Sequence, residues 1–126
     1  MKPKLLIVED NPAIRRVIRS IVTALAGEIY ECEDGVEALA AYTTHQPDFV
    51  LMDIAMNTMD GIAATRQITA ADPAAKVIIV TNYDEADLRE AARQAGACGY
   101  VLKENLLEIR RLLSAHNRIQ GAMGNE

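Results

Sequence analysis

Three acids stand at the ends of two apolar runs. Glu9 and Asp10 follow Leu5-Leu6-Ile7-Val8, and Asp53 follows Phe49-Val50-Leu51-Met52. Each run is short, lacks helical spacing and stops at charge, the pattern of a buried parallel strand with its acid at the carboxyl end. Open α/β sheets bind ligands at that edge. Three carboxylates converging there repel one another, and a hard divalent cation with oxygen ligands is the natural counter-charge. Two more residues hold comparable places: Thr81 ends Val77-Ile78-Ile79-Val80, and Lys103 follows Tyr100-Val101-Leu102. Taken singly, each acid is a helix cap, the threonine a strand former and the lysine a surface charge. Their joint placement at strand ends carries the argument, because chance would scatter them over helix faces and loops.

These residue types suit phosphoryl transfer. A carboxylate can attack phosphorus to give an acyl phosphate. The incoming dianion needs a metal and fixed donors on its equatorial oxygens. Glu9, Asp10 and Asp53 can hold Mg²⁺, which uses few protein ligands and keeps several waters. Lys103 can pair with Asp53 and then with a phosphoryl oxygen, and the Thr81 hydroxyl can donate to another. Neither histidine, His45 or His116, falls at a strand end. An ionised aspartate needs no general base.

The elements that must position these groups alternate along the chain. The pattern predicts strands near 4–9, 28–33, 48–53, 76–81 and 98–102, and helices near 11–25, 35–45, 60–71, 85–96 and 105–119. In the first helix Ile14, Val17, Ile18, Ile21, Val22 and Leu25 form one apolar stripe. Asn11 suits its cap, Pro12 its first position, and Gly27 lies near its end. Leu88, Ala91, Ala92 and Ala95 make a shorter stripe stopped by Gly96. The run at 77–81 is apolar on both faces, as a central strand would be. Five strand–helix units require right-handed crossovers and a parallel sheet covered by helices on both faces. Residues 1–119 are expected to form one domain, and 120–126 a flexible tail or the start of a linker.

With 126 residues, half of them hydrophobic, the chain can bury a real core, which must be aliphatic because it has no Trp and one Phe. A net charge of −5 argues against direct nucleic-acid binding. No apolar stretch approaches the roughly 20 residues that span a bilayer, and no signal peptide is visible, so a cytoplasmic location is expected. Cys32 and Cys98 lack metal-ligand spacing and read as small buried hydrophobes.

The ordered set Val8-Glu9-Asp10-Asn11, Asp53-Ile54-Ala55-Met56, Met59-Asp60-Gly61, Thr81, Gly96-Ala97, Gly99-Tyr100 and Lys103 resembles the receiver domain of two-component response regulators, over essentially residues 4–119. The resemblance implies a flavodoxin-like (βα)5 three-layer sandwich with strand order 2-1-3-4-5. It implies that Asp53 accepts phosphate from a histidine kinase or phosphotransfer protein. Mg²⁺ would sit on Glu9, Asp10, Asp53 and the Ala55 backbone carbonyl, with Lys103 and Thr81 completing the reaction site. Thr81 and Tyr100 would form the switch, relaying the change to the face of helix four, strand five and helix five. The chain is then a regulatory phosphoacceptor that promotes its own Asp phosphorylation and dephosphorylation.

The stretch 95–103 and the helix from Leu106 to Leu113 are most similar to receivers of the NarL/LuxR-type group. That similarity implies a helix-turn-helix DNA-binding output outside these residues, or a partner protein, and dimerisation in some members. The implied order puts Cys32 and Cys98 on opposite edges, about 19 Å apart at ~4.8 Å per strand. A disulfide needs Cα atoms within about 7 Å, so none is expected.

The chain departs from the family at Asn57, where Pro is common, at Asn82, where a small residue is usual, and at Glu104 in place of the Pro that often follows the lysine in cis. A cis bond before a non-proline residue costs about 2.5–4 kcal/mol, which weighs against that geometry here. Ala55 and Tyr83 occupy positions that tune dephosphorylation in the family. Three other functions fit less well. A degenerate receiver acting only as a protein-interaction scaffold has the changes at Asn57, Asn82 and Glu104 as its sole support, and the intact acids argue against it. An Asp-nucleophile phosphatase would carry a second Asp where Ala55 stands, and a nucleotide-binding domain would show a Gly-rich loop after the first strand.

Overall fold

A computed structural model of the protein describes residues 2–56 and 59–115. Asn57, His116 and the expected tail at 120–126 lie outside the described residues. Five strands, β1 (Leu5–Val8), β2 (Ile29–Cys32), β3 (Phe49–Met52), β4 (Val77–Thr81) and β5 (Gly99–Leu102), form one sheet of order β2-β1-β3-β4-β5. All four pairings are parallel. The intervening helices are α1 (Pro12–Val22), α2 (Ala38–His45), α3 (Gly61–Ala71), α4 (Ala86–Gln94) and α5 at 108–115.

Strand alternation divides the core into two layers. Leu6, Val8, Val50, Met52, Val77 and Ile79 pack on one face with Ala38, Ile62, Ala64, Ile68, Ala92 and Ala95, which come from α2, α3, α4 and their ends. Leu5, Ile7, Phe49, Leu51, Ile78, Val80 and Val101 pack on the other with Ile18 and Val22 of α1 and Ile109 and Leu113 of α5. This is the expected three-layer α/β sandwich. β4 is buried at every residue, as its two-sided apolar run required.

Four details depart from the sequence pattern. α1 ends at Val22 rather than 25, because the Leu25 and Ala26 amides both turn back to the Val22 carbonyl, at 2.9 and 3.0 Å. Val17 is 45% exposed, since ~100° per residue puts it on the rim of the stripe while Ile18 and Val22 face the core. The second and fifth helices each begin in 3-10 geometry, at Gly35–Glu37 and Lys103–Asn105, before the α-helix proper. Cys98 is exposed, not buried, at the entry to the edge strand β5, whereas Cys32 is buried. Both thiols are free, as the opposite-edge placement requires. The described peptide bonds contain no cis isomer, so Lys103–Glu104 is trans.

Candidate functional site

The sheet itself brings the acids together. Val8 pairs with Met52, so the next residues, Glu9 and Asp53, leave neighbouring strands side by side. The Asp53 amide still bonds the Val8 carbonyl at 3.0 Å, and the Glu9 amide bonds the Cys32 carbonyl at 3.1 Å. Beyond them α1 starts at once. The Asn11 side chain accepts from the Ala13 and Ile14 amides at 2.9 and 3.2 Å, which fixes the short link bearing Asp10. After β3 the chain returns past Asp53 to α3. A Cβ at Gly61 would stand 1.9 Å from the Asp53 carbonyl oxygen, so only glycine lets α3 begin against this strand end.

Carboxylate oxygens of Glu9, Asp10 and Asp53 all lie within 4.8 Å of one another. Glu9 and Asp53 are buried, and Asp10 is half-buried. Lys103 Nζ reaches in from the end of β5, 2.9 Å from Glu9 Oε1 and 3.4 Å from Asp53 Oδ1. The lysine therefore sits closer to Glu9 than to the Asp53 partner expected for it.

Burial dominates the electrostatics. It pushes Glu9 up to about 7, with Asp53 adding to the rise and Lys103 and the Asn11 amide opposing it. Burial also holds Asp53 above the usual carboxylate range, against Lys103, Glu9 and the Ala55 amide, which favour its ionised form. For Lys103, burial alone would lower the value, but Glu9 and Asp53 outweigh it and raise it.

The pocket fits a metal. Glu9 Oε2 accepts the Asn11 amide at 3.2 Å, whereas the buried Oε1 receives no hydrogen bond. Its close contact is the Lys103 ammonium, at 2.9 Å. A single ammonium shared between Glu9 and Asp53 does not offset three clustered carboxylates, so a further cation would lower the cost of burying them. Three hard oxygen donors within 4.8 Å of one another suit a hard divalent cation.

Thr81 ends β4 one strand from β3, fully buried, and its Oγ1 accepts the Tyr83 amide at 3.3 Å. Tyr100, on β5, is half-buried and donates its hydroxyl to the Tyr83 carbonyl at 2.6 Å. The two switch candidates therefore both hold the backbone of Tyr83. Arg89 covers the Tyr100 ring at 4.5 Å and bonds Asp84 at 2.6 Å. Ala55 lies exposed on the loop after β3, with its amide on the Asp53 carboxylate. Tyr83 is 44% exposed, and Asn82 and Glu104 are exposed as well.

Two contributors were not legible in the sequence. Buried Asp34 accepts the Val36 and Met59 amides at 3.0 and 3.1 Å, tying the β2 loop to the β3–α3 loop. Arg15 of α1 donates to the Glu9 carbonyl at 2.7 Å. An Asp after a strand reads as a local cap, and an Arg on a helix reads as a surface charge.

With this geometry in place, the comparison with known families is decisive: the model for the response regulator receiver domain matches residues 5–116. The chain belongs to that family. It is 34% identical over 119 residues to the Bacillus subtilis chemotaxis protein CheY, covering 94% of this chain and 98% of the relative. Among solved structures, a LuxR-family two-component response regulator from Aurantimonas superposes with a TM-score of 0.82 at 30% identity, covering 91% of this chain and 87% of the other. A Borrelia burgdorferi chain from a CheX-CheY-BeF3-Mg²⁺ complex gives 0.80 at 27%, over 90% and 88%. This receiver is thus similar both to chemotaxis proteins and to LuxR-type regulators. It is a regulatory domain of two-component signalling, with an acidic pocket suited to a divalent metal and a phosphoacceptor. No helix among its described residues is long and apolar enough to cross a membrane.

Proposed function

We propose that Asp53 is the phosphoacceptor of this receiver and takes its phosphoryl group from a phosphohistidine on a kinase or phosphotransfer protein. The observation that carries this reading is the buried Asp53 carboxylate, within 4.8 Å of Glu9 and Asp10 oxygens and 3.4 Å from the Lys103 ammonium. Mg²⁺, bound by Glu9, Asp10, Asp53 and the Ala55 carbonyl, supplies the positive charge that lets a phosphoryl dianion approach a carboxylate. The related Borrelia complex, which carries Mg²⁺ by name, supports that choice of ion.

An Asp53 oxygen attacks phosphorus, the bond to the donor imidazole breaks, and the electron pair returns to the ring nitrogen. The product is an acyl phosphate on Asp53. Lys103 favours the ionised form of Asp53 beforehand, against burial, and then holds a phosphoryl oxygen. Thr81 donates its hydroxyl proton to another. To do so it must turn toward the phosphate, giving up or carrying along the Tyr83 amide that it now accepts. The Tyr83 carbonyl also holds the Tyr100 hydroxyl, so movement of this loop reaches Tyr100 and the face of α4, β5 and α5. The phosphoryl group prefers one loop position over the other, which is the requirement for a switch.

Residues 1–119 act as this unit in the cytoplasm. The output is a helix-turn-helix DNA-binding domain outside these residues or a partner protein, with a second copy of the chain as a further partner; similarity to a LuxR-family regulator favours the DNA-binding route. Incubation with acetyl phosphate and Mg²⁺, read by intact mass, is expected to add one phosphoryl group, and excess chelator to prevent it. Equal labelling with and without chelator would remove the metal from the reading.

A further inference from the structure

We propose that Arg15 is a positioning residue that sets the peptide between the two metal-binding acids Glu9 and Asp10; the role rests on the reading of those acids given above. Arg15 is the fourth residue of α1, with a side chain only 15% exposed. Its Nη1 donates to the Glu9 carbonyl at 2.7 Å, the carbonyl of the peptide that joins Glu9 to Asp10. Its Nε meets Glu31 Oε1 at 2.8 Å, and its Nη2 lies 3.8 Å from Glu33 Oε1. Arg19, one turn further along α1, holds the other Glu31 oxygen at 2.6 Å. One guanidinium thus spans from α1 over the end of β1 to β2.

The position of that contact gives it a function. The β1 ladder ends at Val8, so strand pairing does not fix the Glu9 carbonyl. Rotation of this peptide would swing both acids relative to Asp53. A charged donor at 2.7 Å restrains it more firmly than a neutral one. Charge alone would make Arg15 harmful, because a cation beside a divalent-metal site repels the ion. Glu31 and Glu33 neutralise it, leaving the geometric benefit. Groups that orient metal ligands from outside typically change affinity by roughly 10–100-fold.

Repulsion and positioning therefore differ in sign. If Arg15 acted only through charge, removing it would tighten Mg²⁺ binding; if it positions the acids, removing it weakens binding. The experiment is a Mg²⁺ titration of the full chain followed by backbone amide NMR shifts, which also report whether each variant is folded. Arg15→Gln is expected to raise the Mg²⁺ dissociation constant about tenfold. Arg15→Lys keeps the charge and is expected to move the same way, because an ammonium lacks the fork that serves the carbonyl and Glu31 together. Arg19→Gln loses its own bond to Glu31 but not the Glu9 contact, and is expected to keep the wild-type constant.

Asp10→Asn separates the two levels of the argument. If it leaves Mg²⁺ affinity at the wild-type value, the reading of the acids fails. If it weakens binding while Arg15→Gln matches or exceeds wild-type affinity, the reading stands and the role of Arg15 is overturned. Should Arg15→Gln not fold, a wild-type constant for Arg15→Lys overturns it equally.

Discussion

Lys103 and Glu9 show how one site balances opposing charges. The ammonium lies 2.9 Å from a buried carboxylate oxygen that otherwise lacks a donor, so it stands in part where a metal would. Lys103→Met is expected to slow phosphorylation by acetyl phosphate by roughly 10²-fold, the usual cost of removing one fixed charge or donor from a transition state. The same substitution is expected to tighten Mg²⁺ binding, because the competing cation is gone. Measuring both on one variant tests the division of roles, since a merely misfolded site would lose both. The reacting groups were readable from the sequence because an acid or lysine ending an apolar run can point almost nowhere but the sheet edge. Arg15 was not, since its target depends on how far α1 leans over β1. Cys98 was misread for a related reason: its exposure is set by the edge position of β5, not by its own type.

At the scale of elements, close approach between a strand end and a helix start decides the geometry. A Cβ at Gly61 would overlap the Asp53 carbonyl, so Gly61→Ala forces the β3–α3 loop to shift. The expected loss is about 1–3 kcal/mol of stability, as for other overpacking changes, together with slower phosphorylation; chemical denaturation and the acetyl phosphate rate measure the two. The alternation of strands and helices was legible because each strand run is apolar and each helix carries its own stripe. Ends were less so. The chain after Lys103 continues as a 3-10 turn before α5, and α1 closes three residues early on Val22. Both outcomes are set by local backbone geometry, at the α1 end by the Leu25 and Ala26 amides on the Val22 carbonyl, which side-chain periodicity does not record.

For the whole molecule, folding must bury acids that prefer to be charged. Glu9 rises from 4.5 to about 7 on folding, so between those values the native state binds more protons than the unfolded chain. Stability of the metal-free protein is therefore expected to fall as pH rises through that window, and the raised Asp53 acts in the same direction. Mg²⁺ favours the deprotonated acids and should offset the loss, by about 2.7 kcal/mol at a hundred times its dissociation constant. Thermal melts at pH 5 and pH 8, with and without Mg²⁺, should show a larger metal effect at pH 8; an equal effect would mean that Glu9 does not titrate as its burial requires. On the proposed reading, metal and phosphate complete the acidic edge of the receiver. The most direct test of this view is intact-mass and peptide mapping of wild type and Asp53→Asn after treatment with acetyl phosphate and Mg²⁺. Wild type is expected to carry one phosphoryl group on Asp53 and the variant none, while a variant that still takes up phosphate would show that the acceptor lies elsewhere.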